Sequence, residues 1–342
     1  MSKDPKSPQP SDILIEHFSD RSIRRLLQYP EYVRGLVEII APELVALLDF
    51  SRGVQQNRSF ISDALRERES DVLLQVPFQG TPDSEELLIY ILIEHQSTVD
   101  PTMGFRLLSY MMEIWQEQWR AWQSETGMRR RLDPILPIVF YTGDRRWASP
   151  LSLTAIMEVP EILKRFVPTF DTLFLGVKTV DRETLTKPGH PLGWLLSVLQ
   201  KEGAEKSAIS DALVAAVSEL GRLDETQVSQ VRQALLYFIQ LILHRRPAGE
   251  REELIELVKR HSQDESEVAI MAQTAAELLI EQGKAEGIIE GKQAAILQLL
   301  RLRFQNVPET FTERITSIEN LSYLDMLLEQ TMTAENLDEI QI

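Results

Sequence analysis

The chain of 342 residues contains no cysteine. That absence excludes disulfide bridges, a thiolate nucleophile, zinc sites with cysteine ligands and cysteine-bound iron–sulfur clusters. A protein without cysteine fits a reducing compartment, and we expect a cytoplasmic location.

Long apolar segments are also missing. The longest apolar run, from Leu87 to Ile93, is far shorter than the ~20 residues that a helix needs to cross a bilayer. The lysines near the N-terminus are not followed by an apolar stretch, so no secretory signal is recognised. We therefore expect a soluble protein without a membrane partner.

Positive charge is scarce, with 36 Lys and Arg against 52 Asp and Glu and a formal net charge of −16. Such an acidic chain is a poor default candidate for nonspecific binding to nucleic acid. The acidic excess is concentrated after residue 180, which weakens that objection for the first half of the chain. The 43% of hydrophobic residues predicts a globular protein with a sizeable core.

The hydrophobic pattern divides the chain into four segments. Residues 1–11 are rich in Ser, Pro and Lys and are predicted to be a flexible tail. Residues 12–180 predict the order helix, strand, strand, helix, strand, strand, which is a compact α/β domain. Within it the second helix is predicted from Pro101 to about Ser124, the third strand from Ile135 to Tyr141 and the fourth from Thr172 to Val180. Residues 181–266 have only helical periodicity, and residues 267–342 predict a long helix followed by a small helical domain.

The segment from Leu87 to Gln96 is predicted to be a central strand, because both of its alternating faces are apolar as far as Ile93. Glu94 and Gln96 lie on one face at its C-terminal end, together with Leu88, Tyr90 and Leu92. His95 lies on the other face, which is more typical of a hydrogen-bonded core histidine than of a ligand.

Asp71 begins the preceding strand, and a turn-rich segment predicts that the two strands form an antiparallel hairpin. The hairpin could bring Asp71 alongside Glu94, where two carboxylates would repel each other in a partly dry cleft. A divalent cation such as Mg²⁺ would remove that repulsion. The alternatives are a solvated strand end, or pairing of the carboxylates with Arg106 or with the arginines at 129–131.

Four motifs in this region resemble, in order and spacing, the recombination-promoting nuclease (Rpn) family, whose members are also described as transposases. The resemblance covers residues 12 to about 180 and is carried by Ser70–Leu74, Leu92–Ser97, Asp100–Met111 and Leu136–Gly143. It implies a fold of the PD-(D/E)XK nuclease superfamily, an α/β restriction-endonuclease-like core with a mixed sheet flanked by helices. It also implies divalent-metal-dependent cleavage of DNA in recombination, without an organic cofactor.

The resemblance also implies roles for individual residues. Asp71 and Glu94 would hold the metal, and Gln96 would stand where the superfamily usually has lysine and would orient a water molecule. Arg106 has two alternatives of equal weight, a contact to phosphate or an ion pair with a carboxylate. Residues 294–337 resemble a small helical domain of unknown function that often ends such proteins.

Two functions from different classes follow. The first is a Mg²⁺-dependent DNA endonuclease, favoured by the complete set of Asp71, Glu94 and Gln96. The second is a catalytically weak relative that acts through protein–protein contacts, favoured by the acidic charge and by the Asp12–Glu16 segment, which departs from the family's Asp-x-x-Phe-Lys. Thr142 also stands where the family usually has histidine.

Self-association is expected because one such site cuts one strand, so a double-strand break needs two sites or two visits. We predict a homodimer held mainly by helices. Two helix faces could form its interface, one carrying Trp115, Trp119 and Trp122 and the other carrying Gly283, Gly287 and Gly291. Core packing and base stacking are the alternatives for the tryptophans, and a hinge is the alternative for the glycines.

Overall fold

The computed structural model describes residues 18–56, 71–79, 87–124, 131–223, 227–304 and 307–340. Its contacts divide the chain into two compact units, Met1–Ala269 and Ile270–Ile342. The predicted tail at residues 1–11 and the Asp12–Glu16 segment lie outside the described residues. The predicted domain boundaries near residues 180 and 266 stay predictions.

A five-stranded mixed sheet organises the first unit. Its strands lie side by side in chain order and are β1 (Val54–Gln55), β2 (Asp71–Phe78), β3 (Leu87–Gln96), β4 (Ile135–Tyr141) and β5 (Leu173–Gly176). The first three strands are antiparallel, and β3, β4 and β5 are parallel to one another. The predicted hairpin and the central place of β3 are therefore confirmed.

Two strands differ from the sequence prediction. β1 was not predicted, because two residues give no readable alternation. β5 is shorter than the predicted strand, which extended to Val180, because the backbone N–H groups of Thr179 and Val180 both donate to the carbonyl of Gly176. Those bonds turn the chain away from the sheet.

The helix Met103–Ser124, called the motif helix below, covers the face of the sheet that carries Glu94. Its residues Leu107, Tyr110 and Met111 form one buried cluster with Leu92 of β3 and Val139 of β4. This packing fixes the start of the motif helix against the C-terminal ends of β3 and β4. The predicted helix began two residues earlier, at Pro101.

Some of the remaining helices precede residue 181, and those after it confirm the expected all-helical second half. Prolines begin several of them, where a missing N–H costs nothing and the fixed φ suits the helix. In the first unit they are Phe18–Leu26, Pro30–Ile40, Pro42–Val45, Leu153–Ile156, Arg182–Thr186, Pro191–Leu199, Lys206–Leu220, Val228–Arg245 and Ala248–His261, with 3₁₀ turns at Phe50–Arg52 and Glu161–Phe166.

The helix Glu265–Phe304 begins in the first unit and continues into the second. The second unit also contains Glu309–Thr316, Leu321–Thr333 and a 3₁₀ turn at Leu337–Glu339. It has a core of its own, centred on Ile296, Leu300, Ile315, Leu324 and Leu327. Within the described ranges, no helix combines the length and the apolar character that crossing a bilayer requires. The predicted fold class, a restriction-endonuclease-like α/β core followed by a mostly helical region, is confirmed.

Candidate active site

The candidate site lies where β2 begins and β3 ends. The backbone of Asp71 is paired directly with that of Glu94 across the antiparallel ladder. Residues paired in this way lie on the same face of a sheet. The hairpin therefore brings the two positions together as predicted. The side chain of Asp71 lies outside the described part, so its distance from the carboxylate of Glu94 stays a prediction.

Glu94 is completely buried. Its Oε1 accepts hydrogen bonds from Nε2 of Gln96, at 2.6 Å, and from Nη2 of Arg106. A buried carboxylate costs several kcal/mol unless it is paired with a charge and hydrogen-bonded. Arg106 supplies the charge, and Gln96 supplies a second donor from the same strand.

Arg106 lies in the first turn of the motif helix and joins two carboxylates. Its Nη1 donates to Oδ2 of Asp100 at 2.8 Å, and its Nη2 also donates to the hydroxyl of Tyr110 at 3.1 Å. Burial lowers the pKa of Arg106, but the bonds to Asp100 and Tyr110 outweigh it, so that the pKa is raised. Of the two alternatives for Arg106, the structure has the ion pair with carboxylates, and the phosphate contact stays a prediction.

The sequence alone predicts no role for Asp100, although this residue is central to the arrangement. Its Oδ1 accepts hydrogen bonds from both the backbone N and the hydroxyl of Thr102, each at 2.7 Å. Burial raises the pKa of Asp100, but the bonds from Thr102 and Arg106 lower it overall, so the carboxylate is ionised. An Asp that bonds the backbone two residues further on forms an Asx-turn, and an Asp-x-Thr pattern just before a predicted helix could have pointed to this residue.

His95 and Thr142 lie on the other side of β3. His95 is buried, and its Nε2 lies 3.0 Å from Oγ1 of Thr142. Thr142 is also buried, and its backbone N donates to the carbonyl of Gln96 at 2.9 Å. The prediction of a hydrogen-bonded core histidine is confirmed. Thr142, which stands where the resemblance implies a histidine, contacts His95.

The donors at the site fit a hard divalent cation. Carboxylate and amide oxygens are the ligands that Mg²⁺ prefers, and Glu94, Gln96 and the position of Asp71 place such groups at one strand end. Among the described residues, no cluster of three or more His, Asp or Glu side chains is arranged to hold a metal. That finding does not extend to the side chain of Asp71, so metal binding stays a prediction.

Comparison with known proteins gives relatives with a consistent description. The chain is 33% identical over 127 residues to the recombination-promoting nuclease RpnD of Escherichia coli O157:H7, which is 37% of this chain and 45% of the relative. It is 30% identical over 151 residues to the recombination-promoting nuclease RpnC of Escherichia coli K12, which is 43% of this chain and 46% of the relative. The chain thus spans about half the length of these two nucleases.

A third relative is described as inactive. Over 223 residues the chain is 28% identical to the inactive recombination-promoting nuclease-like protein RpnE of Escherichia coli K12, which is 65% of this chain and 70% of the relative. No solved structure matches the chain. The family described as "Putative transposase, YhgA-like" matches residues 17–231, which is more than half of the chain. This protein therefore belongs to that family.

Proposed function

We propose that this protein is a divalent-metal-dependent DNA endonuclease that acts in recombination. The observation that carries the proposal is the pairing of Asp71 with Glu94 at a strand end where Gln96 is already bonded to Glu94. The names of the relatives RpnD and RpnC support a nuclease activity on DNA.

In this proposal Asp71 and Glu94 hold Mg²⁺ or another divalent cation. The bound ion would polarise the scissile phosphate and lower the pKa of a water molecule. Gln96 then has an orienting role, because its amide is fixed 2.6 Å from Glu94 and can position a water molecule through its second N–H or its carbonyl. Since glutamine has no charge, a neighbouring cation would have to stabilise the negative charge that develops on the phosphate during cleavage.

Among the described residues, Arg106 is the cation bonded to Glu94, so it is the candidate for stabilising that charge. Its guanidinium neutralises Glu94 and Asp100, and the Arg106 side chain is only 11% exposed. A metal at Glu94 would take over that neutralisation, since both positive groups use the same carboxylate. Arg106 would then keep Asp100 as its anchor and would be free to turn one N–H toward a phosphate oxygen.

The second candidate function is an interaction module without effective catalysis. It is favoured by the arrangement of Oε1 of Glu94, which both Arg106 and Gln96 already engage. The relative described as inactive, which is covered over 70% of its length, points in the same direction.

A nicking assay on supercoiled plasmid separates the two functions. We expect nicking in Mg²⁺ or Mn²⁺ that stops when EDTA is added. Glu94→Gln should lower the rate by about 100-fold or more, because it removes a metal-binding charge. Glu117→Gln is the matched control, since Glu117 pairs with Arg120 at the surface of the motif helix, and it should leave the rate unchanged.

Circular dichroism must show that both variants are folded. A wild-type protein that leaves the plasmid intact with either metal would favour the interaction module. A Glu94→Gln variant that nicks at the wild-type rate would remove Glu94 from the reaction.

We also propose that the protein acts as a homodimer, because a dimer has two sites and can cut both strands of one duplex. The homodimer is a proposal that the nuclease function motivates.

A further inference from the structure

The loop that follows β4, Gly143–Trp147, lies beside the candidate site. The backbone N of Thr142, just before it, donates to the carbonyl of Gln96. A Cβ added at Gly143 would lie only 2.2 Å from the carbonyl oxygen of Ser97. The loop and the segment that follows β3 therefore meet at a distance that glycine alone allows. The loop therefore starts in contact with the end of the strand that carries Glu94.

Aromatic packing fixes the loop in place. The hydroxyl of Tyr141 donates to the carbonyl of Arg145 at 2.7 Å. The Trp147 ring packs edge-on against the Tyr141 ring, with centroids 5.1 Å apart, and also packs against Phe174. Trp147 lies against the same buried cluster as Leu92 of β3. The loop thus belongs to the face of the sheet on which Glu94 and Gln96 lie.

Two arginines of this loop, Arg145 and Arg146, are exposed to solvent. Within the described part of the chain, neither guanidinium makes a hydrogen bond or an ion pair. Asp144, the acidic residue of the loop, is directed instead to Lys178, whose Nζ lies 3.9 Å from Oδ1. Two adjacent positive charges on a fixed loop are thus left available for an anion.

We propose that Arg145 and Arg146 bind the phosphate backbone of duplex DNA next to the bond to be cleaved; this inference rests on the nuclease function proposed above. A guanidinium matches phosphate oxygens with two parallel hydrogen bonds and keeps its charge at every physiological pH. Contacts of this kind fix the position of the duplex without reading its sequence. They also explain how a chain with a net charge of −16 engages DNA, since the charge that matters lies at the site.

The test measures DNA binding separately from cleavage. A labelled DNA duplex is titrated with the full chain in EDTA, and binding is followed by fluorescence anisotropy between 50 and 200 mM salt. The loop variant Arg145→Ala/Arg146→Ala is compared with the control variant Arg222→Ala/Arg260→Ala. The control removes two exposed arginines, one just after the helix Lys206–Leu220 and one in the helix Ala248–His261, so both variants change the net charge equally. Circular dichroism confirms the fold of each variant.

The loss of two phosphate contacts should weaken binding and reduce the dependence of log K on log salt by about 2. Over the salt range used, the affinity of the loop variant should therefore change roughly tenfold less than that of the wild type. The control variant should keep the wild-type slope. Equal slopes for the two double variants would overturn the inference. A wild type that binds DNA but leaves plasmid intact in Mg²⁺ would refute the nuclease function while the loop contacts stand.

Discussion

At the scale of single residues, the candidate site depends on how a buried negative charge is balanced. Glu94 has no exposed surface, and Arg106 is the positive charge that the described residues bring to it. Asp100 holds the same guanidinium from the other side, at 2.8 Å. The site therefore has an internal counter-ion, and a metal that binds Glu94 has to compete with it.

This competition leads to a prediction for Arg106→Gln. The variant leaves Glu94 and Asp100 without their shared cation, so the free energy of unfolding should fall by about 3 kcal/mol. Because Mg²⁺ can then replace the missing charge, the variant should be stabilised by Mg²⁺ more strongly than the wild type. Thermal unfolding with increasing Mg²⁺ measures both effects.

Arg120→Gln is the matched control, since Arg120 is an arginine of the same helix that pairs at the surface with Glu117. Surface pairs contribute about 0–1 kcal/mol, so this variant should respond to Mg²⁺ as the wild type does. If Arg106→Gln gained no more from Mg²⁺ than Arg120→Gln, the two cations would not share Glu94.

The sequence could indicate which residues form the site but not how they are bonded. Alternation along β3 predicted that Glu94 and Gln96 share a face and that His95 does not, because side-chain period in a strand is fixed by the backbone. Whether Arg106 contacts a phosphate or pairs with a carboxylate could not be predicted. It depends on how closely the motif helix packs on the sheet, which no local pattern encodes.

At the scale of secondary-structure elements, the strands with strong alternation were the ones that could be predicted. The bounds of β4 were predicted residue for residue, since a buried run is closed by Thr142 and Gly143. The start of the motif helix was harder to place, because Asp100 and Thr102 form a capping turn before it. Turns of this kind are set by individual hydrogen bonds rather than by periodicity.

His190 joins the helices Pro30–Ile40 and Pro191–Leu199. Its Nδ1 accepts a hydrogen bond from the backbone N of Leu192 and so caps the helix Pro191–Leu199. Its ring lies against Tyr32 of the helix Pro30–Ile40, and a Cβ at Gly35 would overlap it. Burial, with a smaller contribution from Arg34, lowers the pKa of His190 to about 4.

The lowered pKa of His190 predicts a loss of stability in acid. The unfolded chain has the ordinary histidine pKa of 6.5, so it binds a proton more readily than the folded chain does. The contribution of His190 is present in full above pH 6.5 and is lost as the pH falls toward about 4, by about 3 kcal/mol in total. Urea unfolding at a series of pH values measures it.

His190→Asn keeps a capping side chain but does not titrate. The difference between the free energies of unfolding of the wild type and this variant should therefore shrink or reverse between pH 6.5 and 4. A constant difference across that range would show that the histidine titrates alike in both states. His244, whose pKa is also lowered by burial, is present in both proteins and does not affect the comparison.

At the scale of the whole molecule, the two surfaces considered for self-association differ in character. Trp115 belongs to the core, because its Nε1 donates to the carbonyl of Asp133 and its ring packs on the motif-helix cluster. Trp119 is exposed, with the Trp122 ring 5.6 Å away.

The glycine face is different, because Gly283, Gly287 and Gly291 have open space around their α-carbons. Within the described part of the second unit, these glycines therefore do not pack closely against another helix, and both a hinge and an intermolecular contact stay open for them.

The motif helix carries an exposed apolar stripe formed by Phe105, Met112 and Trp119, which recur every seven residues. Residues at this spacing lie on one helix face and can pack along a second helix. If the dimer forms through this stripe, a two-fold axis near its centre brings the Met112 residues of two copies together. The charge of −16 opposes association, but salt screens it over about 8 Å.

We therefore expect the homodimer to be lost in Met112→Glu, which places two like charges at the centre of the paired stripes. Light scattering at micromolar concentration should give a mass near 39.2 kDa for this variant and about twice that for the wild type. Met332→Glu makes the same change at an exposed methionine of the helix Leu321–Thr333 and should remain dimeric. A dimer that withstands Met112→Glu but is lost in Gly287→Glu would place the interface on the helix Glu265–Phe304, and a wild-type mass near 39.2 kDa would exclude the dimer altogether.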